Sequence, residues 1–499
     1  MESGPKQLHI FFFPHLAHGH MIPTIDMARL FARQHGVKAT IICTPLNAPL
    51  FSKVIERDSQ RGIEISIRII KFPSIKAGLP EGCENLGSTT SPEMFNNFYK
   101  ALGMLQQPLE QLLEECRPNC LVADVMFPWA TEVAGKFGIP WLIFHGTSYF
   151  AFCVFHSLRC YEPLKTLSVF ESFIVPGIPD QIKMTKSQQP SYFRGVDNEL
   201  TKLTNLSVQS EQTSYGVLVN SFNELEPAYS EHYRKFIVKK AWSIGPVSLC
   251  NRDIEDKALR GNIASIDAYE CLRWLELKNP NSVLYICFGS KFVFPASQLL
   301  EIAKGLEAAG KHFIWVMKEE ENINNQEKQE WLLEGFEKRV EGKEQSYNEK
   351  LVTDVLKIEV SVGAQECSRS IDARKFILKK EDIERHVNQL MVGEEAEEMR
   401  SKAKALKQMA RKAVEEGGSS NSDLNALLQE LRSCKMKIGL TEIYMLPRMF
   451  IWVKLTCQPN ALKPMIQLNF ALKCDLTNLN SMMHCMRQEE IQTQKFKSS

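Results

Sequence analysis

The sequence predicts an α/β protein built from two units, each a parallel sheet covered by helices. Three observations carry this: strand and helix signals alternate through the first half, a second strand–helix–strand series follows a polar stretch, and 499 residues exceed what one hydrophobic core usually holds. Apolar residues make up 44% and charged residues 24%, ordinary for a soluble globular chain.

The first unit reads in order. Leu8–Phe13 is a short apolar run stopped by Pro14, as expected of a buried strand. Pro23 opens a helical pattern with Met27, Leu30 and Phe31 on one face, ended by Gly36. Val37–Cys43 is the next strand, and Ile63, Ile65, Ile67 and Ile69 alternate with polar residues as in a half-buried one. Ser91-Pro92-Glu93 starts a helix continued by Phe95, Phe98, Leu102 and Leu105. Cys120–Ala123 reads as strand, Pro128–Phe137 as helix, and Trp141–Phe144 as strand, the βαβα order of a parallel sheet.

The second unit follows the polar stretch Cys250–Gly261. Ser282–Phe288 reads as strand, Gln298–Ala309 as helix and His312–Val316 as strand. The charged segment Lys318–Glu330 reads as a solvated loop. Helix signals return at Leu351–Leu356, Glu381–Leu390, Glu394–Glu416 and Ser422–Leu431, with Ile358–Val362 as a strand. This unit offers far fewer strands than the first, and a doubly wound sheet needs several before both faces are covered. The expected domains are residues 1–250, a truncated 251–433, and a tail, 434–499, with no lasting period and therefore poorly structured.

Sixty basic residues balance fifty-nine acidic ones, which leaves no nucleic-acid footprint and no polybasic anchor. The start, MESGPKQLHIFFFP, has no basic region before its apolar run, and no stretch reaches the length of a membrane span. Fourteen cysteines without C-x-x-C pairs read as reduced thiols and point to the cytoplasm. Neither first strand is followed by G-x-G-x-x-G, and P-loop, H-E-x-x-H and paired-cysteine metal motifs are absent, so a nicotinamide enzyme and a zinc enzyme are disfavoured.

His20 follows the first strand, where ligands of open α/β sheets sit, and an imidazole suits removal of a hydroxyl proton near neutral pH. Read alone, it is also one of three loop histidines with His15 and His18. Asp124 ends a strand and suits either a partner carboxylate or a cap for the helix after Pro128. Gly289 and Ser290 make a small-residue turn at which backbone N–H groups can approach a phosphate, or an ordinary strand end.

Several ordered blocks resemble plant family 1 UDP-glycosyltransferases, especially those acting on flavonoids, phenylpropanoids and terpenoids. They include FFFPHLAHGHMIPTIDMARLFA, LVADVMFPWATEVAGKFGIP, FHGTSYFAFC, GVLVNSFNELEPAY, CLRWLELKNPNSVLYICFGS, YNEKLVTDVLKI and EEGGSSNSDLNALL, spread over roughly residues 7–433. The resemblance implies a GT-B architecture: two Rossmann-like domains across a cleft, the first for the acceptor and the second for the UDP-sugar. It implies inverting transfer of glucose or a related sugar to a hydroxyl of a small molecule by a monomer, with UDP-sugar as co-substrate and no metal or other cofactor. It assigns His20 as base, Asp124 as its partner, and Gly289, Ser290, Thr147, Glu344 and Gln345 to the donor.

One block departs from the family. Between Lys343 and Ser346 the family carries a signature box running from Trp-Ala-Pro-Gln through His-Cys-Gly-Trp-Asn-Ser to an acidic residue and Gln. Here EGK runs into EQSYNEKLV, so Glu344 and Gln345 stand as its last two residues. The uracil-stacking Trp, the diphosphate-holding His and the ribose-binding Glu are missing, and each lost charge-assisted hydrogen bond is worth ~1.5–3 kcal/mol. A catalytically dead acceptor-binding protein, or an unstable product of an altered transcript, is the alternative expectation.

Overall fold

The computed structural model describes residues 7–168, 170–189, 193, 199–238, 240–253, 268–287, 296–318, 345–361, 378–434 and 491–493. In the first unit, strands β1 (Leu8–Phe13), β2 (Val37–Cys43), β3 (Ile65–Ile69), β4 (Cys120–Asp124) and β5 (Trp141–His145) are joined by helices α1 (His18–Ala32), α2 (Ser52–Gln60), α3 (Pro92–Gly103), α4 (Gln106–Cys116) and α5 (Ala130–Lys136). After α6 (Tyr149–Tyr161) come a small antiparallel pair, β6 (Ser172–Ile174) and β7 (Lys183–Thr185), then α7 (Glu199–Thr213), β8 (Gly216–Val219), α8 (Pro227–Phe236) and β9 (Ala241–Ser243).

Seven of these strands form one parallel sheet in the order β3-β2-β1-β4-β5-β8-β9. Its central strands are buried on both faces: Ile10 to Phe13 and Cys120 to Val122 are wholly inaccessible, which is why they read as unbroken apolar runs. Ser91 caps α3 as expected, its hydroxyl accepting from Met94 N at 3.1 Å.

The start of α1 differs from the sequence reading. The helix begins at His18, not at Pro23, and Pro23 lies inside it. Pro23 has no N–H to give the Gly19 carbonyl four residues back, and beside it the Thr24 hydroxyl donates to the His20 carbonyl at 2.8 Å. His20 therefore sits in a helical turn, not in a loop.

The second unit holds β10 (Val283–Cys287) and β11 (His312–Lys318) in parallel, with α9 (Ala268–Glu276) and α10 (Ala296–Ala308). Three tail residues, β12 (Ile491–Thr493), pair antiparallel with β11. The tail had no period to announce this, but two β-branched residues, Ile491 and Thr493, flank Gln492 at an open ladder edge. After α11 (Gln345–Lys350) the chain makes one wide turn, Leu351–Val355, in place of the expected separate helix. Within the expected strand Ile358–Val362, the described residues form only an isolated bridge at Ser361. Helices α12 (Lys380–Met391), α13 (Glu394–Val414) and α14 (Ser419–Ser433) complete the described chain.

The second unit has its own core, in which Leu284, Ile286 and Trp315 meet Ile302, Leu306, Ile383, Val387 and Leu390. Gly305 lets α10 and α12 touch: a Cβ there would lie 2.7 Å from Ile383 Cβ. Helix α14, read from sequence as the end of the second unit, packs instead into the first core through Leu424, Leu427, Leu428 and Leu431. Asp423 Oδ2 accepts from Ser243 N and Arg234 Nη2, each at 2.7 Å, and Ser420 Oγ donates to Gly245 O at 2.6 Å. A buried ion pair, Arg29 with Asp58, ties α1 to α2, and Asn251 bonds both Arg29 and Asp26.

Candidate active site

In the seven-stranded sheet the chain runs outward one way from β1 to β3 and the other way from β4 onward. The switch between β1 and β4 opens a crevice at their carboxyl ends, the usual ligand position in such sheets. His20, after β1, and Asp124, the last residue of β4, stand on its two sides.

They meet. His20 Nδ1 and Asp124 Oδ2 are 2.8 Å apart, although 104 residues separate them. Asp124 is buried, and its other oxygen accepts from Met126 N at 2.9 Å. Burial pushes its carboxyl upward, but the charge and hydrogen bond of His20, with smaller contributions from His15 and Met126 N–H, hold it below the usual carboxylate value. With Nδ1 engaged by an ionised carboxylate, the proton sits there and Nε2 is left as the basic nitrogen. The His20 side chain keeps 28% of its surface exposed, so the base is not sealed inside the core as Asp124 is.

The base is also braced from beneath. The buried His15 ring packs edge-on to His20 with centroids 4.9 Å apart, and lies within 6.4 Å of Phe98, Tyr99 and Phe127. Sequence reading treated His15 only as a neighbour; it forms an aromatic floor from β1, α3 and the β4–α5 turn.

Thr147 follows the adjacent strand β5 and is buried. Its hydroxyl lies 3.5 Å from Asn348 Oδ1, and the Ser148 hydroxyl donates to the same oxygen at 2.8 Å. The structure thus brings Thr147 to the helix that starts at Gln345, from 200 positions away. Gln345 is described as the first residue of α11, without its side chain; Gly289, Ser290 and Glu344 lie outside the described residues. Sequence reading missed Asn348, whose signal was its place one turn into that helix. It also missed Glu226, fully buried before α8, whose carboxylate accepts from Tyr149 N at 3.0 Å and Phe150 N at 2.7 Å.

Among the described residues there is no group of three or more His, Cys, Asp or Glu able to hold a metal ion, and no helix long and apolar enough to cross a membrane.

A parallel-sheet unit with an imidazole–carboxylate pair at its switch point, joined to a second α/β unit, is the frame of a GT-B glycosyltransferase. Solved structures share it. A Glycyrrhiza uralensis protein complexed with glycyrrhetinic acid 3-O-monoglucuronide superposes with a TM-score of 0.77 at 37% identity, over 86% of this chain and 96% of that one. A Medicago truncatula protein complexed with UDP-glucose superposes at 0.64 with 19% identity, a likeness of fold alone. No family model matches the chain.

The curated relatives are closer. Scopoletin glucosyltransferase of Nicotiana tabacum is 48% identical over 475 residues, covering 85% of this chain and 98% of that protein. UDP-glucose flavonoid 3-O-glucosyltransferase 7 of Fragaria ananassa is 48% identical over 481 residues, covering 85% and 96%. The chain belongs to the plant UDP-glycosyltransferases, enzymes whose co-substrate is a UDP-sugar.

Proposed function

We propose that this chain transfers glucose from UDP-glucose to a hydroxyl of a small phenolic plant metabolite, with a weakened hold on the donor. The observation that carries the reading is the 2.8 Å bond between His20 and Asp124 at the switch point. His20 Nε2 takes the acceptor hydroxyl's proton as the oxygen attacks the anomeric carbon of glucose. The carbon–oxygen bond to the diphosphate breaks, UDP leaves with the electron pair, and the new bond forms on the opposite face, inverting the centre. Asp124 stabilises the imidazolium that results.

The relatives named for scopoletin, flavonoid and anthocyanin substrates support an aromatic acceptor. Phe98 and Phe127 are fully buried, so of the rings around His15 it is the half-buried Tyr99 that could meet a flat acceptor ring. In this reading residues 1–250 take the acceptor and the unit from 251 takes the donor, with α14 belonging structurally to the first.

The weakened donor site rests on the missing box. The tobacco match extends over 475 residues while taking in 85% of this chain, and 85% of 499 is about 424, which supports an internal loss of about fifty positions. A second reading follows from the same observation: a protein that binds the acceptor without turning it over.

Calorimetry with UDP-glucose, on this chain and on one with the box restored, separates these readings, paired with a glucosylation assay on scopoletin and flavonols. Weak binding and slow product formation, both raised by orders of magnitude on restoration, is the expected result. Acceptor binding with no product at saturating donor would establish the second reading, and donor binding equal in both chains would remove the deletion from the account.

A further inference from the structure

Between β3 and α3 the chain crosses the carboxyl ends of the strands with only two short helical turns of its own, Ile75–Ala77 and Leu86–Ser88. A connection this long and irregular is usually either functional or disordered. This one is fixed at three places. Leu86 N donates to the Leu16 carbonyl at 2.8 Å, which joins the loop to the turn between His15 and His20. Asn97 Nδ2, on α3, donates to the Gly78 carbonyl at 3.2 Å.

The third tie is Asn47, which stands past the end of β2 and is buried. Its amide donates to the Thr44 hydroxyl at 2.8 Å and to the Glu84 carbonyl at 2.9 Å, and its oxygen accepts from Asn85 Nδ2 at 2.8 Å. A buried amide costs stability unless its donors and acceptor are paired, and here each finds a partner. Two of the three partners lie on the loop. Next to it, Leu46 N donates to Glu84 Oε2 at 2.9 Å. Beneath, Leu79, Cys83 and Leu86 are buried in the first core.

We propose that Asn47 is a positioning residue for the acceptor: it holds residues 73–90 against Leu16, so that the wall beside His15 and His20 is formed before the acceptor arrives. The inference rests on the reading that a small phenolic acceptor binds next to His20. It adds that the ordering of this wall is completed in folding, so that binding does not have to supply it. Asn47 touches neither the base nor its carboxylate; it acts through Glu84, Asn85 and the Leu86–Leu16 bond.

The test is amide hydrogen exchange of peptides covering residues 73–90 in the full chain, free and with scopoletin or a flavonol, beside calorimetric affinities for both. In the unaltered chain the loop should be protected already, with little added by ligand. In Asn47→Ala, exchange of the free loop should rise about tenfold and recover when the acceptor is added. Affinity should fall about tenfold, because only the ordered fraction binds. Asn85→Ala, which removes one of the three bonds, should move both readouts less and in the same direction, and it carries the test if Asn47→Ala does not fold. A merely structural role would lower the melting temperature and speed exchange throughout the first unit, with no recovery confined to the loop. Faster loop exchange at unchanged affinity would overturn the proposal, as would loop exchange that Asn47→Ala leaves alone. If the unaltered chain binds neither compound, the acceptor reading itself fails and takes this inference with it.

Discussion

Among the described residues, the two units of this molecule present sheets of different extent. The first places seven parallel strands in one sheet and buries its central strands on both faces. The second, among the described residues, has two parallel strands and a three-residue antiparallel partner. The first also borrows: α14 crosses back to lie in its core, and α11 is moored on α6. His20 and Asp124 stand at the strand ends of the larger sheet, and helices from later in the chain keep their place through anchors on the first unit.

Restoring the box is the strongest way to sharpen this contrast. Donor affinity should rise by orders of magnitude in calorimetry, while melting of the first unit, followed by exchange of β1 and β4 amides, should not move. Movement of both would mean that the units are not energetically separate.

His20→Ala should then lower turnover by about 10²–10⁴ in the restored chain, with acceptor binding nearly unchanged. Asp124→Asn should lower turnover through the wrong tautomer. A smaller loss for His20→Ala, under about tenfold, would remove the base from the mechanism.

Stability variants break the comparison from either side. Asp58→Asn leaves Arg29 buried beside a neutral partner and should cost about 3–5 kcal/mol in chemical denaturation, with exchange rising in the first unit. Leu427→Ala, in the borrowed helix, should cost about 2–5 kcal/mol in the same unit, although the residue lies near the other end of the chain. Gly305→Ala should cost about 1–3 kcal/mol in the second unit, because its Cβ meets Ile383. Loss of protection in the opposite unit in either case would refute the division.

A further effect is one of pH. Burial pushes the Glu226 carboxyl up to about 7 from an ordinary 4.5, against the pull of Ser221 and two backbone N–H groups. The folded state therefore binds the proton more tightly than the unfolded one. Glu226 thus contributes stability that is fully present below pH 4.5 and lost as pH rises through 7. Melts from pH 4.5 to 8 should show that slope in the unaltered chain and a flatter one in Glu226→Gln; parallel curves would place the titration elsewhere.

Much of the first unit was legible because its elements announce themselves locally. The apolar run Leu8–Phe13, the Ser91-Pro92 helix start and the strand Cys120–Ala123 each carry a complete local signal. His20 and Asp124 carried no such local signal: they stood out through the resemblance to plant UDP-glycosyltransferases. Other features had no local signal. α1 starts at His18, ahead of the Pro23 that from sequence marks the helix opening. Asn348 looked like any polar residue in a helix.

The sequence by itself determined the alternation of strands and helices and the buried centre of the first sheet, since each is a matter of residue type and short-range period. Only the tertiary structure decided that His20 and Asp124 lie 2.8 Å apart, that α14 belongs to the first core, and that Asn348 meets Thr147 and Ser148. Those pairings span from 104 to about 400 positions of chain, and no local propensity encodes a contact that exists only once the sheet has brought its strand ends together.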